Sequence, residues 1–281
     1  MRFLCFDEAD RMLDMGFIDA VRSIAQACSL PNKLVCMFSA TWPPDVRKVA
    51  DEFLSPEHVL CVVGAKRMDA AGPEANRRVK QTVQVCEQRA RDGKLIELLK
   101  KRYPQGGSSV QYNNSKLIVF GLYKKECARL ESDLNRKGWR CVAIHGDLSQ
   151  QHRTKAFEDF RGGKVPLLVA TDVAARGLDI PDVELVVNFS FPLTIEDYVH
   201  RIGRTGRAGK TGAAHTFFHG DGHEKALAGA LQNVLRAGGA DVPKDLLAFG
   251  STVKKKEDKN YGAFGPRAGM AGKKATKIVF D

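Results

Sequence analysis

Long apolar runs and paired cysteines are both missing from this sequence, and each absence narrows the class of protein. No apolar run approaches the roughly 20 residues that a membrane-spanning helix requires, so we expect no association with a membrane. The N-terminus has no basic region followed by an apolar segment and a small-residue cleavage site, which predicts that the protein is not secreted. The seven cysteines are scattered, odd in number and never form a CxxC pair. That pattern favours reduced thiols over a disulfide framework or a zinc site.

A Gly-rich phosphate loop of the form GxxxxGK[ST] is missing as well. Gly209-Lys210-Thr211 ends like such a loop, but the pattern requires glycine five positions before Gly209, where the sequence has Arg204. The nearby glycines, Gly203 and Gly206, are out of register with the pattern. This stretch therefore does not predict a nucleotide site of the P-loop type.

Acidic residues are outnumbered by basic ones, with 44 Lys and Arg against 33 Asp and Glu and a net charge of +11. The excess favours an anionic partner, with nucleic acid first. Residues 251–281 contribute eight basic and three acidic residues, or +5, and the rest of the chain contributes the other +6. The lysine clusters of this tail fit a nuclear address or an RNA-binding extension, and they fit a solvated tail equally well. We expect the protein in the nucleus, the nucleolus or the cytoplasm, and the tail slightly favours the nucleus.

Short apolar runs alternate with amphipathic segments along most of the chain. The alternation predicts an α/β fold with parallel sheets covered by helices. Predicted strands cover 3–6, 34–38, 59–63, 80–86, 117–120, 140–144, 166–170, 185–189 and 213–218, and predicted helices cover 18–28, 44–53, 92–102, 124–137, 150–161, 195–202 and 223–237. Gly, Pro and charged residues at 64–79 predict a linker between domains at 1–63 and 80–240, and 241–281 reads as a basic, disordered tail.

Asp7-Glu8-Ala9-Asp10 follows the first apolar run, at the end of a predicted buried strand. In nucleotide-hydrolysing proteins, one acid at such a position holds Mg²⁺, directly or through water, and a second polarises the attacking water. We assign these roles to Asp7 and Glu8, and a solvated acidic turn is the plain alternative. Ser39-Ala40-Thr41 follows the next strand, where its hydroxyl groups either cap a helix or connect the acids to another domain.

The stretch His200-Arg201-Ile202-Gly203-Arg204-Thr205-Gly206-Arg207 gives the strongest functional signal. Its three arginines recur every three residues and are separated partly by small residues. Glycine lets the backbone approach a phosphate closely, and a guanidinium group binds two phosphate oxygens at once. An arginine in such a place neutralises the charge that develops during phosphoryl transfer. The alternative is an ordinary basic surface.

Four motifs, taken in order, resemble those of the DEAD-box RNA helicase family. They are the acids at 7–10, the hydroxyl motif at 39–41, Ala170-Thr171-Asp172-Val173-Ala174-Ala175-Arg176-Gly177-Leu178-Asp179, and the arginine-rich stretch at 200–207. The resemblance covers about residues 2–237, and residues 11–17 also follow the family pattern. It implies two RecA-like domains with ATP and RNA in the cleft between them. This chain then holds the C-terminal part of the first domain and a complete helicase C-terminal domain.

The resemblance also implies a role for individual residues. Asp7 and Glu8 match the acids that hold water-bound Mg²⁺ and catalyse hydrolysis, Asp179 matches a contact to the ribose of ATP, and Arg204 and Arg207 match arginine fingers at the γ-phosphate. Residues that match interdomain coupling positions are Asp10, Ser39, Thr41 and His200. Residues that match positions holding the RNA backbone are Gly146, Gln150, Arg153, Thr171 and Gly177. Without the resemblance, Gln150 and Arg153 are ordinary surface residues in the first turn of a helix.

The sequence departs from the family because it lacks the phosphate loop and the adenine-reading Gln motif. We expect that the chain is a fragment of a longer helicase and hydrolyses little or no ATP alone, because positioning the phosphates is most of the catalysis. The whole protein would be a monomeric, ATP- and Mg²⁺-dependent RNA helicase that contacts RNA independently of sequence and has protein cofactors. The alternative is a non-catalytic module of the second domain that binds RNA or protein. We also expect an unpaired apolar edge at strand 34–38.

Overall fold

The structure, a computed structural model, describes residues 2–14, 17–28, 33–40, 42, 44–63, 75–103, 116–175, 180–251 and 277–280. The chain divides into two compact units, of which the first comprises Met1–Pro73 with Lys255–Asp281 and the second Glu74–Lys254. Strands in both units pair in parallel and helices connect them, so the predicted α/β fold class is confirmed. No helix in the described part of the chain is both long and apolar enough to cross a bilayer.

The first unit is built around two short parallel strands. In chain order its elements are β1 (Phe3–Phe6), α1 (Ala9–Asp14), α2 (Ile18–Ala27), β2 (Leu34–Met37), α3 (Pro44–Phe53) and β3 (Leu60–Val63). Leu4 and Phe6 of β1 are buried against α2, because alternate residues of a strand point to the same face. Among the residues described, β2 pairs with β1 alone, and Leu34 is 59% exposed. The expected apolar edge at this strand is therefore present in these residues.

The second unit contains a six-stranded parallel sheet. Its strands are β4 (Val79–Val85), β5 (Lys116–Phe120), β6 (Cys141–Ile144), β7 (Leu167–Ala170), β8 (Val183–Asn188) and β9 (Gly212–Phe218), and they lie in the order β4-β9-β8-β5-β7-β6. Its α-helices are α4 (Arg91–Arg102), α5 (Lys124–Arg136), α6 (Gln150–Arg161), α7 (Asp172–Ala175), α8 (Ile195–Ile202), α9 (His223–Ala237) and α10 (Lys244–Leu247).

The core of the second unit lies on both faces of this sheet. Every residue of β5 and β7 is buried, which explains why these strands read as continuous apolar runs. Helices α4 and α5 pack on one face and α6 and α7 on the other, while α8 and α9 pack with β4 and β9. The carboxyl ends of all six strands point the same way, so the segments that follow them lie along one edge of the sheet. We call this line of segments the carboxyl edge.

The second unit continues past residue 240, where we expected the second domain to end and a disordered tail to begin. Residues 241–251 belong to the second unit, because Leu246 is buried and the Phe249 ring lies 5.4 Å from that of Phe218. The side-chain amide of Gln232 donates to the carbonyl groups of Leu246 and Gly250, at 3.1 and 2.8 Å. Two apolar anchors and one amide thus fix this segment.

The far end of the expected tail also differs from the prediction. Lys277–Phe280 forms a strand, β10, that pairs in parallel with β3 of the first unit. The sequence there contains the short apolar run Ile278-Val279-Phe280. The prediction of disorder was based on the many lysines and glycines around this run. Residues 252–276 and most of the predicted linker, 64–74, lie outside the described residues.

Candidate functional site

The acids Asp7 and Glu8 occupy the turn between β1 and α1. Asp7 is exposed, and its Oδ1 accepts a hydrogen bond from the backbone N–H of Glu8 at 3.0 Å. Glu8 has a φ of +52°, a backbone conformation that is rare for a residue with a long side chain. Such conformations cost about 1–3 kcal/mol and concentrate at active sites. The turn therefore presents two carboxylates at the end of a strand, and the backbone of the second, Glu8, is strained.

Asp10 and Ser39, two of the predicted coupling residues, are in contact. Asp10 is buried at the start of α1, and its backbone N–H donates to Ser39 Oγ at 3.2 Å. The backbone of Ala9 donates to the carbonyl of Phe38 at 3.0 Å, which joins the same two segments a second time. The acidic turn and the segment after β2 therefore form one connected structure. Thr41 lies outside the described residues.

The donors in the acidic turn fit a hard cation such as Mg²⁺. Carboxylate oxygen is the ligand type that Mg²⁺ prefers, and this ion commonly keeps several waters while one or two carboxylates hold it. The described residues contain no cluster of three or more His, Cys, Asp or Glu side chains that suits a metal. Asp7 and Glu8 are therefore the residues of this turn that would hold such an ion.

Four of the five predicted RNA-binding residues lie at the carboxyl edge of the second unit. Gly146 follows β6 and Thr171 follows the neighbouring strand β7, where the Thr171 N–H approaches the carbonyl of Ile144 at 3.4 Å. Gln150 and Arg153 lie in the first turn of α6. Gly146 is exposed, and a Cβ atom added to it would meet no atom within 4 Å. The fifth residue, Gly177, lies outside the described residues.

Two polar side chains in the first turn of α6, those of Gln150 and Arg153, are in contact with each other. The hydroxyl of Ser149 caps the helix by accepting the N–H of His152 at 3.3 Å. Arg153 Nη1 donates to Gln150 Oε1 at 3.4 Å, while Arg153 Nε is buried and has no hydrogen-bond partner among the described residues. Buried polar atoms without partners are uncommon in folded proteins. Arg153 is thus held near Gln150, but its Nε donor is left without a hydrogen-bond acceptor among the described residues.

Arg204 and Arg207 lie on the turn that follows α8, which we call the arginine turn (residues 203–207). The Thr205 hydroxyl is buried and donates to the carbonyl of Val183 at the start of β8. Gly206 has a φ of +69°, and its carbonyl accepts the side-chain amide of Asn76 at 2.9 Å. These anchors fix a turn on which Arg204 is partly exposed and Arg207 exposed.

His200 and Asp179 are two further residues that we predicted to have functional roles. His200 is partly exposed near the end of α8. Asp179, the predicted ribose contact, lies outside the described residues.

Sequence reasoning missed the part that Arg201 plays. The sequence does not distinguish it from Arg204 and Arg207, but the Arg201 side chain is only 1% exposed. It donates two hydrogen bonds to Asp172, from Nε to Oδ1 at 2.6 Å and from Nη2 to Oδ2 at 2.7 Å. Its Nη1 donates to the carbonyl of Ser190 at 2.6 Å, and its guanidinium lies 5.1 Å from the centre of the Phe120 ring. The position of Asp172, directly after Thr171, was the available signal. The pair connects the carboxyl edge at β7 to the helix that ends in the arginine turn.

The chain resembles known proteins in sequence along its whole length. Residues 1–49 match the family model described as DEAD/DEAH box helicase, and residues 93–209 match the one described as helicase conserved C-terminal domain. The chain is 53% identical over 279 residues to DEAD-box ATP-dependent RNA helicase 5 of Arabidopsis thaliana, an alignment that covers 99% of this chain and 49% of the relative. It is 51% identical over 282 residues to ATP-dependent RNA helicase DBP3 of Yarrowia lipolytica, with the same two coverages of 99% and 49%. The chain thus spans about half the length of these curated relatives.

The fold is also similar to that of a solved structure. The structure of Mss116p bound to single-stranded RNA and AMP-PNP superposes with a TM-score of 0.67 at 27% sequence identity. The superposition covers 88% of this chain and 50% of Mss116p.

Proposed function

Because the chain belongs to the DEAD-box RNA helicase family, we propose that it forms part of an ATP-dependent RNA helicase. In this function, RNA stimulates ATP hydrolysis, and hydrolysis is coupled to local unwinding of RNA duplexes. The observation that carries the proposal lies in the second unit. There the Arg201–Asp172 pair connects the segment with the predicted RNA contacts to the helix that ends in the arginine turn.

ATP and Mg²⁺ are the cofactors in this proposal. Mg²⁺, when bound, offsets negative charge on the phosphates. Asp7 holds that ion through water, and Glu8 orients and deprotonates the attacking water. Arg204 and Arg207 stabilise the charge that develops on the transferred phosphoryl group, as arginine side chains do in related chemistry. Asp179 binds the ribose, and the coupling residues transmit the state of the nucleotide: Asp10, Ser39, Thr41 and His200.

RNA is the partner that we propose for the carboxyl edge. The open space at Gly146 lets a phosphate approach the backbone, and the side chains of Gln150, Arg153 and Thr171 offer donors for phosphate oxygens and 2′-hydroxyls. Gly177 completes this set. Contacts of these kinds do not read bases, so binding through them is largely independent of sequence. We propose that the protein acts as a monomer and takes protein cofactors.

For the 281-residue chain by itself, we propose RNA binding without ATP turnover. The second unit has a complete core of its own, whereas the sequence contains no phosphate loop to hold the β- and γ-phosphates. Fluorescence anisotropy with labelled single-stranded RNA should therefore detect binding that weakens with salt, while phosphate release stays at the level of the Glu8→Gln variant. RNA-stimulated phosphate release that Glu8→Gln abolishes would contradict this part of the proposal.

The helicase role is tested with a chimera. The N-terminal half of the Arabidopsis relative is fused before residue 1, and RNA-stimulated ATPase and duplex unwinding are measured. We expect activity that Glu8→Gln and Arg207→Gln each reduce on the order of 10²-fold or more, because each removes a group that acts in phosphoryl transfer. The matched control Glu57→Gln changes an exposed acid of the same unit and should leave activity unchanged. A folded chimera that is inactive, or indifferent to Glu8→Gln, would refute the role.

The location of the protein is a separate proposal. We propose a nuclear or nucleolar location, on the ground of the lysines at 254–256, 273 and 274. Imaging a fluorescent fusion with and without residues 254–281 tests it, and an unchanged distribution after the deletion would contradict it.

A further inference from the structure

Tyr123 is an exposed aromatic residue at the carboxyl edge. It follows β5 in the middle of the sheet, and 64% of the residue is accessible to solvent. Its backbone carbonyl accepts the N–H of Cys127 at 3.0 Å, but among the described residues no hydrogen bond or ring contact involves its side chain. On the neighbouring strand end, Val173 follows β7 and is 65% exposed. Two large apolar side chains thus face solvent in segments that follow adjacent strands.

The position of Tyr123 is not explained by the stability of its helix. Tyr123 is the N-cap residue of α5 and makes no capping hydrogen bond. At the equivalent positions of α6 and α8, the chain uses Ser149 and Thr194, whose hydroxyl groups accept backbone N–H groups. Serine and threonine are strongly preferred at N-caps, and an aromatic residue there is unfavourable for the helix. A residue that breaks a local rule without a structural gain is a candidate for function.

A neighbouring side chain, that of Glu126, fixes the backbone that precedes α5. Glu126 Oε2 accepts the backbone N–H of Leu122 at 2.7 Å, and its Oε1 accepts the hydroxyl of Ser190 at 2.7 Å. This carboxylate ties the start of α5 to the segment after β8. The Tyr123 side chain therefore makes no capping bond, on a backbone that Glu126 holds in place.

Tyr123 is adjacent to the residues to which we assign the RNA backbone. Gly121 donates its N–H to the carbonyl of Ala170 at 3.1 Å, which places the start of the Tyr123 segment beside Thr171. Lys124 Nζ lies 2.6 Å from Asp147 Oδ1, so the next residue along is bridged to the segment that begins with Gly146. Lys124 and Lys125 are exposed, and their charges complement RNA phosphates.

We propose that Tyr123 is a stacking platform for an unpaired base of single-stranded RNA, with Val173 as its apolar flank. The proposal rests on the RNA-binding function proposed above and adds a base contact to a set of contacts that otherwise involve only the backbone. An aromatic side chain accepts any base on its face, so the contact increases affinity without reading sequence. The phosphates on either side of the stacked base stay with Gly146, Arg153 and the lysines of α5.

The test compares two RNA strands and four variants of the 281-residue chain by fluorescence anisotropy at low salt. One strand is a labelled 10-nucleotide oligouridylate, and the other has the same sugar-phosphate backbone without bases. The informative variant is Tyr123→Thr, because threonine is a good N-cap and should leave the thermal stability of the chain unchanged or raise it. Tyr123→Phe keeps the ring, Leu247→Thr removes an exposed apolar residue on α10, and Arg153→Gln removes a phosphate contact.

Stacking on one aromatic residue changes RNA affinity on the order of five-fold to a hundred-fold. We expect Tyr123→Thr to weaken binding of the base-bearing strand by such a factor and to leave the abasic strand unchanged. Tyr123→Phe and Leu247→Thr should bind both strands as the unmodified chain does. Equal affinity of Tyr123→Thr and the unmodified chain for the base-bearing strand overturns the inference, and so does an equal loss for both strands.

The proposed RNA-binding function fails differently. If Arg153→Gln binds both strands as tightly as the unmodified chain, the backbone contacts assigned to the carboxyl edge are wrong, whatever Tyr123 does. If the unmodified chain binds neither strand at low salt, both proposals are overturned. The two ideas can therefore be judged from one set of titrations.

Discussion

Removal of Asp172 should destabilise the second unit far more than removal of any acid from a surface ion pair. Arg201 is only 1% exposed and Asp172 is 17% exposed, and two hydrogen bonds of 2.6 and 2.7 Å join them. Taking one partner from a buried pair costs about 3–5 kcal/mol, because the other charge stays buried without its anion. Since Asp172 is partly solvated and the Ser190 carbonyl still accepts from Arg201, we expect Asp172→Ala to cost about 3 kcal/mol, at the low end of that range.

The loss can be measured by urea denaturation of the whole chain. Trp139 is buried in the second unit, so its fluorescence in a Trp42→Phe background reports the unfolding of that unit. For a unit of this size, a loss of about 3 kcal/mol lowers the melting temperature by about 6–12 °C. The control Asp92→Ala breaks an ion pair with Arg129 whose side chains are 44% and 51% exposed, and it should cost less than about 1 kcal/mol.

A second variant separates the pair from a simple packing effect. Adding Arg201→Met to Asp172→Ala replaces the stranded guanidinium by an apolar side chain of similar length, and it should recover much of the lost stability. Our account of this ion pair would be refuted if Asp172→Ala cost no more than Asp92→Ala. It would also be refuted if the double variant were less stable than Asp172→Ala by the full cost of a second independent loss.

Three further predictions concern backbone packing, pH and thiol reactivity. Gly212→Ala should lower the free energy of unfolding by about 1–3 kcal/mol in urea denaturation, because its Cβ would lie 2.0 Å from the Thr205 hydroxyl of the arginine turn. The control Gly93→Ala, in open space on α4, should raise it by up to about 1 kcal/mol. Burial lowers the pKa of His215 from 6.5 to about 4, so the unfolded chain takes up a proton first as the pH falls. The stability that depends on neutral His215 is therefore complete above pH 6.5 and decreases by about 3 kcal/mol towards pH 4, and a His215→Phe variant with the same pH profile would contradict this. Burial raises the pKa of the Cys141 thiol, while Cys5 is exposed. N-ethylmaleimide should therefore modify Cys5 in the native protein and Cys141 only after unfolding. Equal modification rates of the two cysteines by mass spectrometry would refute this prediction.

The central strands β5 and β7 of the second unit were predictable because they are buried on both faces. Leu117–Phe120 and Leu167–Ala170 read as unbroken apolar runs, and the parallel arrangement follows from their alternation with helices. The short helices at Ala9–Asp14 and Asp172–Ala175 were not predicted, because four to six residues are too few to display a helical period. Their presence places Ala9 and Asp10 of one motif, and residues 172–175 of another, on helices instead of in loops.

The candidate site was located by motif, but its internal connections depend on contacts distant in sequence. Asp172 and Arg201 are separated by 29 residues, and no local pattern distinguishes this buried arginine from the exposed arginine at 207. The strained φ of Glu8 leaves no trace in the sequence either. The segment after residue 240 is ordered by tertiary burial of a few apolar side chains, Val242, Leu246 and Phe249, which are too few to display a period.

The anchors of the arginine turn affect the order in which the second unit can fold. The side-chain amide of Asn76 reaches the carbonyl of Gly206 across 130 residues, and β4 pairs with β9 over a similar separation. Contacts between such distant parts of a chain form slowly, because a long loop must close before they contribute any stability. The turn that presents Arg204 and Arg207 should consequently be among the last features to acquire its final shape during synthesis, after the central strands have already found one another. A nascent chain would then contain the paired central strands before the arginine turn is anchored.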